Sequence, residues 1–302
     1  MTTSYKIGID LGGTKTLGVI LNTQGQEIAR QQCPTPAQDY QSTIRVISEI
    51  VTALEKTNNQ TATIGIGIPG SVSPRTGKIQ NANSTWLNGK DFKKDLETAL
   101  GRSVRLANDA NCFAISEAID GAGKDAHSLF GVILGTGCGG GFVLQGKLLD
   151  GPHGIAGEWG HTPLPWLTAE EYDGPTCWCD KQNCLETWLS GPALSADHKR
   201  HTQQILTAED IAALAMKGNR QAQASLDRHA NRLARGLATV VNILDPEIIV
   251  LGGGLSNMAH LYSDVPQLLP EFVFSDHFTT KLKAPKHGAT SGVRGAAWLW
   301  DS

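Results

Sequence analysis

The chain has 302 residues, of which 40% are hydrophobic and 18% charged, with a net charge of −3. That length supports one large or two ordinary cores, and the composition is globular rather than disordered. The charge balance leaves no basic footprint for nucleic acid and no polybasic membrane patch, and no apolar run reaches the ~18 residues of a membrane span. The start, Met1-Thr-Thr-Ser-Tyr-Lys6, has neither the basic opening nor the apolar stretch of a signal peptide, so a cytoplasmic location is expected. In that reducing setting, clustered cysteines indicate a metal site more than a disulfide. Cys33, Cys112 and Cys138 are scattered and read as small core residues.

Tyr5–Ile9 reads as a strand ending in Asp10-Leu-Gly-Gly-Thr-Lys15, and Thr16–Leu21 as a second strand. The glycine pair makes a hairpin tip between them. Residues 41–56 carry helical spacing at Ile44, Ile47, Ile50, Val51 and Leu54. Thr63–Ile68 is a strand stopped by Pro69-Gly70. Ser103–Ala107 is a short strand ending at Asn108-Asp109, and 110–119 continues as a helix. Leu129–Leu134, a glycine turn over 135–141 and Phe142–Leu144 then repeat the opening hairpin about 125 residues later. A period that long is a domain duplication and not a solenoid repeat. Residues 151–192 are irregular, 207–243 helical, 247–251 a buried strand followed by Gly252-Gly-Gly254, and 291–300 a closing helix. Strands alternating with helices define an α/β protein.

Three features carry chemistry. Each glycine turn strips side chains from the backbone, so that amides can approach anionic oxygens; a pair of ordinary hairpin tips is the plainer alternative. Asp10, beside the first turn, is placed to hold a hydrated Mg²⁺. Asn108-Asp109 stands at a strand end before a helix, where the pair is either a plain N-cap or supplies in Asp109 a base that accepts a hydroxyl proton. His161, Cys177, Cys179 and Cys184 form a complete tetrahedral zinc set, read either as a catalytic metal or as a clasp that shapes a loop. Gly135-x-Gly137-x-x-Gly140 matches the dinucleotide fingerprint formally but leads into a strand rather than a helix.

These segments together are Asp10–Lys15, Pro69-Gly70, Leu106-Ala-Asn-Asp-Ala-Asn111, Gly135–Gly139, Gly157-Glu-Trp-Gly-His161, Cys-x-Cys-x4-Cys-x-Glu186 and Asp245-Pro…Val250-Leu-Gly-Gly-Gly254. In that order they resemble the ROK family of bacterial sugar kinases, from residue 6 to about 297. Asn81-Ala-Asn-Ser-Thr-Trp-Leu-Asn-Gly89 and Gly160-His-Thr-Pro-Leu-Pro-Trp166 look most like its bacterial fructokinase branch. The resemblance implies a duplicated actin-like, Hsp70-like (ribonuclease H-like) ATPase fold of α/β class, with two domains flanking a cleft. The expected domains are 1–119 with 289–302, and 120–288. Fructose is the expected acceptor for ATP, with mannose, glucose or an N-acetylhexosamine as alternatives.

The resemblance makes Asp109 the base. It places sugar contacts at Gly70, Ser71, Asn83, Asn108, Glu158, His161 and Glu186. It places ATP at Gly8, Ile9, Asp10, Leu11, Gly12, Gly13, Thr14 and Lys15, at Gly135, Thr136, Gly137, Cys138, Gly139 and Gly140, and at Gly252, Gly253 and Gly254. It makes His161, Cys177, Cys179 and Cys184 structural zinc ligands, with Mg²⁺ held through water by Asp10, and it implies a homodimer. One departure stands out: Asp180 and Asn183 replace the two glycines usual in the cysteine loop. Both residue types tolerate a left-handed backbone, so the turn is expected to survive. Two rival readings have their own signatures. A sugar-sensing repressor would carry a helix-turn-helix ahead of the first strand, and a zinc hydrolase would leave one metal position open.

Overall fold

The computed structural model describes residues 5–301, so the signal-peptide reading, which draws on Met1–Ser4, lies outside the described residues. In chain order the elements begin with β1 (Lys6–Leu11), β2 (Lys15–Leu21), β3 (Glu27–Pro34), α1 (Tyr40–Asn58), β4 (Thr63–Ile68), β5 (Ser71–Val72), β6 (Ile79–Gln80), α2 (Phe92–Leu100), β7 (Arg105–Asn108) and α3 (Asp109–Ile119). They continue with β8 (Ser128–Leu134), β9 (Cys138–Leu144), β10 (Lys147–Leu148), α4 (Glu186–Leu189), α5 (Gly191–Thr202), α6 (Ala208–Met216) and α7 (Arg220–Leu244). The last are β11 (Ile248–Gly252), α8 (His260–Ser263), α9 (Val265–Leu268), β12 (Lys281–Lys283) and α10 (Ser291–Trp298). Among the described residues no helix is long and apolar enough to cross a membrane.

Two five-stranded sheets share one plan. Their orders are β3-β2-β1-β4-β7 and β10-β9-β8-β11-β12. Each has an antiparallel hairpin arm followed by parallel strands that return through helices. The echo between the two glycine hairpins is therefore a duplication of the whole sheet. The chain divides into two compact units, one running to Asp125 and including Gly141–Ala156 and the segment from Lys286 on, the other comprising Ala126–Gly140 and Gly157–Pro285.

In the first unit, alternation along β1 decides which helix covers which face. Ile9 pairs with Gly18, and a Cβ at Gly18 would meet Ile50 of α1 at 2.3 Å. Gly8 faces the other way, and a Cβ there would lie 1.9 Å from the Val293 carbonyl of α10. Gly65, its register partner on β4, would likewise meet the Ala296 carbonyl at 1.9 Å. The paired glycines let α10 lie directly on the sheet. The apolar stripe of α1 (Ile44, Ile47, Ile50, Val51, Leu54) is buried as its spacing predicts. Each such side chain contributes roughly 1.5–3 kcal/mol by leaving water.

Sequence periodicity misses β3, α2 and α5. The strand β3 (Glu-Ile-Ala-Arg-Gln-Gln-Cys-Pro) is an edge with no buried residue, so it shows no apolar alternation. The second glycine turn is also shorter than its sequence implies. Only Gly135–Gly137 turn, and β9 already begins at Cys138.

Candidate functional site

The first unit gathers its polar residues at the carboxyl ends of parallel strands, where α/β sheets collect ligands. Asp10, next to last in β1, is in register with Gly67 of β4, and Asn108 ends β7 in register with Ile68. Asn108, not Asp109, is the N-cap of α3. Its Oδ1 accepts the Ala110 amide at 2.9 Å and its Nδ2 donates to the Gly70 carbonyl at 3.1 Å. Asp109 is thus the first helical residue. Its own Oδ1 also accepts the Ala110 amide at 2.8 Å, while its side remains open to solvent. Crowding by surrounding protein lifts the Asp109 carboxyl above its ordinary range, against the pull of the Ala110 amide and Asn108. Asp10 is raised to about 6, first by burial and then by the nearby Asp109 charge, with Lys15 opposing. A buried carboxyl raised by a neighbouring carboxylate is poised to share a proton or a cation with it.

The first glycine turn divides by role. Gly8, Ile9 and Leu11 are buried in β1, and Gly12 donates to the Lys15 carbonyl at 3.1 Å. Gly13, Thr14 and Lys15 are exposed, and nothing would meet a Cβ at Gly13. The exposed tip is the part that can face phosphate. Close by in sequence to Gly70, Ser71 is buried with its Oγ accepting from Gln80 at 3.3 Å, while Asn83 is exposed. Asn88 grips the backbone of Ala82 at both N–H and C=O, each at 2.9 Å, and closes the Asn81–Gly89 stretch into a loop.

The second unit brings together the glycine ends of β8 and β11, which run parallel in adjacent register. Gly253 has φ 79, and a Cβ there would lie 2.3 Å from the Leu134 carbonyl. Only glycine fits that crossing. Gly254 is exposed over open space, and the Gly135 carbonyl accepts the Gly191 amide at the start of α5 at 2.8 Å. In the turn itself Thr136 is exposed, whereas Gly140 is buried against Phe130 and Trp159. Gly139 offers its carbonyl to the Trp159 indole at 2.9 Å.

The Cys/His set converges. Ligand atoms of His161, Cys177, Cys179 and Cys184 all lie within 4.8 Å of one another. Cys177 Sγ is 3.6 Å from His161 Nδ1, and Cys179 Sγ is 3.6 Å from Cys184 Sγ. A disulfide needs about 2.05 Å, whereas the edges of a zinc tetrahedron with Zn–S near 2.3 Å and Zn–N near 2.0 Å are about 3.5–3.8 Å. Burial and the neighbouring Cys179 and Cys177 sulfurs push Cys184 up to about 12. Thiols so crowded ionise together only against a cation. The donor set therefore fits a tetrahedral ion. Asp180 (φ 64) and Asn183 (φ 63) both take the left-handed backbone that glycine would. Asn183 adds what glycine lacks: it donates to the Tyr172 carbonyl at 3.2 Å and accepts from Trp188 at the same distance.

Glu158 is exposed and opens the short turn that carries His161. Glu186 begins α4, and its Oε2 accepts the Cys138 amide at 2.9 Å, inside the second glycine segment. Sequence reasoning missed a buried ion network behind this loop. Glu171 takes paired bonds from Arg235 (2.8 and 2.9 Å) and one from Arg232 (2.7 Å), and Arg232 also holds Asp197 at 2.7 Å. Burial pushes Glu171 up, but the two guanidiniums outweigh it and hold it at about 2. Arg235 also donates to the Pro165 and Trp166 carbonyls, so the network straps the segment after His161 onto α7.

The duplicated five-stranded sheet is the plan of the actin-like ATPase fold. The ROK family model matches residues 6–302, and the chain belongs to that family. It is a sugar kinase, with a hydroxyl as phosphoryl acceptor. An N-acetyl-D-glucosamine kinase of Vibrio parahaemolyticus is 37% identical over 297 residues, spanning 97% of this chain and 98% of that protein. The ROK hexokinase of Thermus thermophilus superposes with a TM-score of 0.86 at 30% identity, covering 97% of this chain and 96% of that one. A ROK glucokinase of Streptomyces griseus, solved with glucose and AMPPNP, gives 0.80 at 25%, covering 98% of each chain. The expected fructokinase branch finds no support among these relatives, none of which is named for fructose.

Proposed function

We infer that the chain transfers the γ-phosphoryl group of ATP to the 6-hydroxyl of a free hexose or N-acetylhexosamine, with fructose or N-acetylglucosamine as the acceptor. The observation that carries the transfer is Asp109: a solvent-reachable carboxylate at the end of β7, relieved of capping by Asn108 and raised in pKa beside Asp10. A base lifted toward neutrality takes a proton more effectively than an ordinary carboxylate. Asp109 accepts the proton of the 6-hydroxyl as that oxygen bonds to phosphorus, and the bond to the ADP oxygen breaks with its electron pair leaving on ADP. Mg²⁺, held through water by Asp10, would neutralise charge on the phosphates.

Within the first unit, Asn108 keeps one Nδ2 hydrogen for a sugar oxygen, with Gly70, Ser71 and Asn83 as neighbouring contacts. Within the second, Glu158, His161 and Glu186 are the sugar-facing groups. The exposed ends Thr136, Gly253 and Gly254 serve the nucleotide. His161, Cys177, Cys179 and Cys184 would hold zinc as a filled, structural clasp. With the ion bound, those ligands would fix Glu158, three residues before His161, and Glu186, two after Cys184.

Fructose rests on the Asn81–Gly89 and Gly160–Trp166 segments. A second reading, N-acetylglucosamine, is favoured by relatives of that name at 36–38% identity over 97% of the chain. Both sugars present a primary 6-hydroxyl, so the role of Asp109 is the same. A coupled ADP-release panel over fructose, mannose, glucose and the N-acetylhexosamines, with and without Mg²⁺, separates them. The highest kcat/KM on fructose supports the first reading and on N-acetylglucosamine the second; no Mg²⁺-dependent turnover on any sugar rejects the kinase. Asp109→Asn lowers kcat by about 10²–10⁴-fold and leaves sugar affinity within a few-fold. Retention of most of kcat would remove Asp109 from the role.

A further inference from the structure

Trp178 sits between two cysteines of the metal cluster and is 64% exposed, an unusual setting for the largest side chain. It is nonetheless fixed at two points. Its ring meets the His161 imidazole edge-on, with centroids 4.9 Å apart and planes at 86°. Its Nε1–H donates to Glu186 Oε1 at 2.7 Å, a short bond to a charged acceptor. The other oxygen of Glu186 takes the Cys138 amide at 2.9 Å. A Cβ at Gly137 would lie 2.7 Å from that same Oε2, so a side chain at 137 would displace the carboxylate from this position. One carboxylate is thus pinned from two directions, by the cysteine loop on one oxygen and by the glycine turn on the other. Each oxygen retains a lone pair that these donors do not use.

We propose that Trp178 is a positioning residue for the acceptor sugar: its indole N–H fixes the Glu186 carboxylate so that the remaining lone pairs receive sugar hydroxyls. This rests on the sugar-kinase reading and deepens it. A carboxylate on a side chain with three rotatable bonds loses rotamer freedom whenever it binds. Here the indole and the Cys138 amide impose that order before the sugar arrives, which strengthens binding without a contact of their own. The alternative role for Trp178 is to fill space over the metal ligands. The two differ in what Trp178→Phe does, because phenylalanine keeps a ring beside His161 and removes only the N–H.

The test uses the full-length, metal-loaded protein and its best hexose. Trp178→Phe is expected to retain the wild-type metal content and melting temperature, to raise the sugar KM roughly 5–20-fold, and to leave the ATP KM unchanged, with kcat moving less than the sugar KM. In the background of Glu186→Gln, the same change adds less than twofold, since its route of action is already altered. A wild-type sugar KM in Trp178→Phe overturns the inference. So does loss of metal or of thermal stability that accounts for the change, or a full independent effect on top of Glu186→Gln. Wild-type protein with no turnover on any hexose is a different result: it sinks the kinase reading itself, and this inference with it.

Discussion

Asp10→Asn in the ligand-free protein tests the electrostatics of the first unit most directly. Burial and the neighbouring Asp109 raise Asp10 from 3.8 to about 6. A carboxyl whose folded pKa is raised stabilises the fold in its neutral form. That contribution is complete below the unfolded pKa and is lost as pH rises through the folded one. The shift of about two units corresponds to about 3 kcal/mol at pH 7.5. Asparagine matches the neutral carboxyl in shape and never ionises, so the variant escapes the loss. It should be more stable than wild type by about 3 kcal/mol at pH 7.5, and by only about 1 kcal/mol at pH 4.5, where Asp10 is already protonated in the fold. For a unit of this size each kcal/mol moves the melting temperature by ~2–4 °C. Calorimetry of both proteins without nucleotide or Mg²⁺ should therefore show a gain of about 6–12 °C at the higher pH, about a third of it at the lower. Turnover should fall at least ~10²-fold, because charge neutralisation at the phosphates is lost. A gain that does not change with pH, or a loss of stability at pH 7.5, would refute the reasoning.

Other substitutions probe separate parts of the molecule. Gly8→Ala forces a Cβ to 1.9 Å from the Val293 carbonyl and should cost about 3 kcal/mol or more, whereas Gly13→Ala, over open space, should stay within about 0.5 kcal/mol; urea midpoints compare them. Glu171→Gln leaves buried Arg235 without its carboxylate and Arg232 with Asp197 alone, and should cost about 3–5 kcal/mol. Because Glu171 is held at about 2, its contribution is present above its usual 4.5 and lost as pH falls through 2, so the gap between variant and wild type should narrow in acid. Cys184→Ser should reduce bound zinc from about one per chain and lower the melting temperature. An unchanged zinc content by elemental analysis would argue against the four-ligand clasp.

Much of this site is legible in the chain itself. Asp10, Asn108-Asp109 and the glycine segments each stand directly after a strand whose apolar residues announce it, so local pattern and local chemistry agree. The cluster could be read from Cys177, Cys179 and Cys184 because their spacing is short, and the left-handed Asp180 and Asn183 follow from tolerance intrinsic to those side chains.

Tertiary structure decided what depends on partners far apart in sequence. It showed Gly8 to be a packing residue under α10, through a contact spanning the length of the chain. Of the pair Asn108-Asp109 it made Asn108 the cap of α3 and left the acid open to solvent. It assembled Glu171, Asp197, Arg232 and Arg235 from three segments into a buried network, which no periodicity reveals because charged residues at helical spacing look like a solvated face. It also joined Trp178 and Cys138 to the two oxygens of Glu186. The sequence by itself determined the elements, the duplication and the reactive groups, since these follow from local pattern and residue type. Which of those groups are spoken for by the fold and which are left to meet a ligand depended on long-range register and packing.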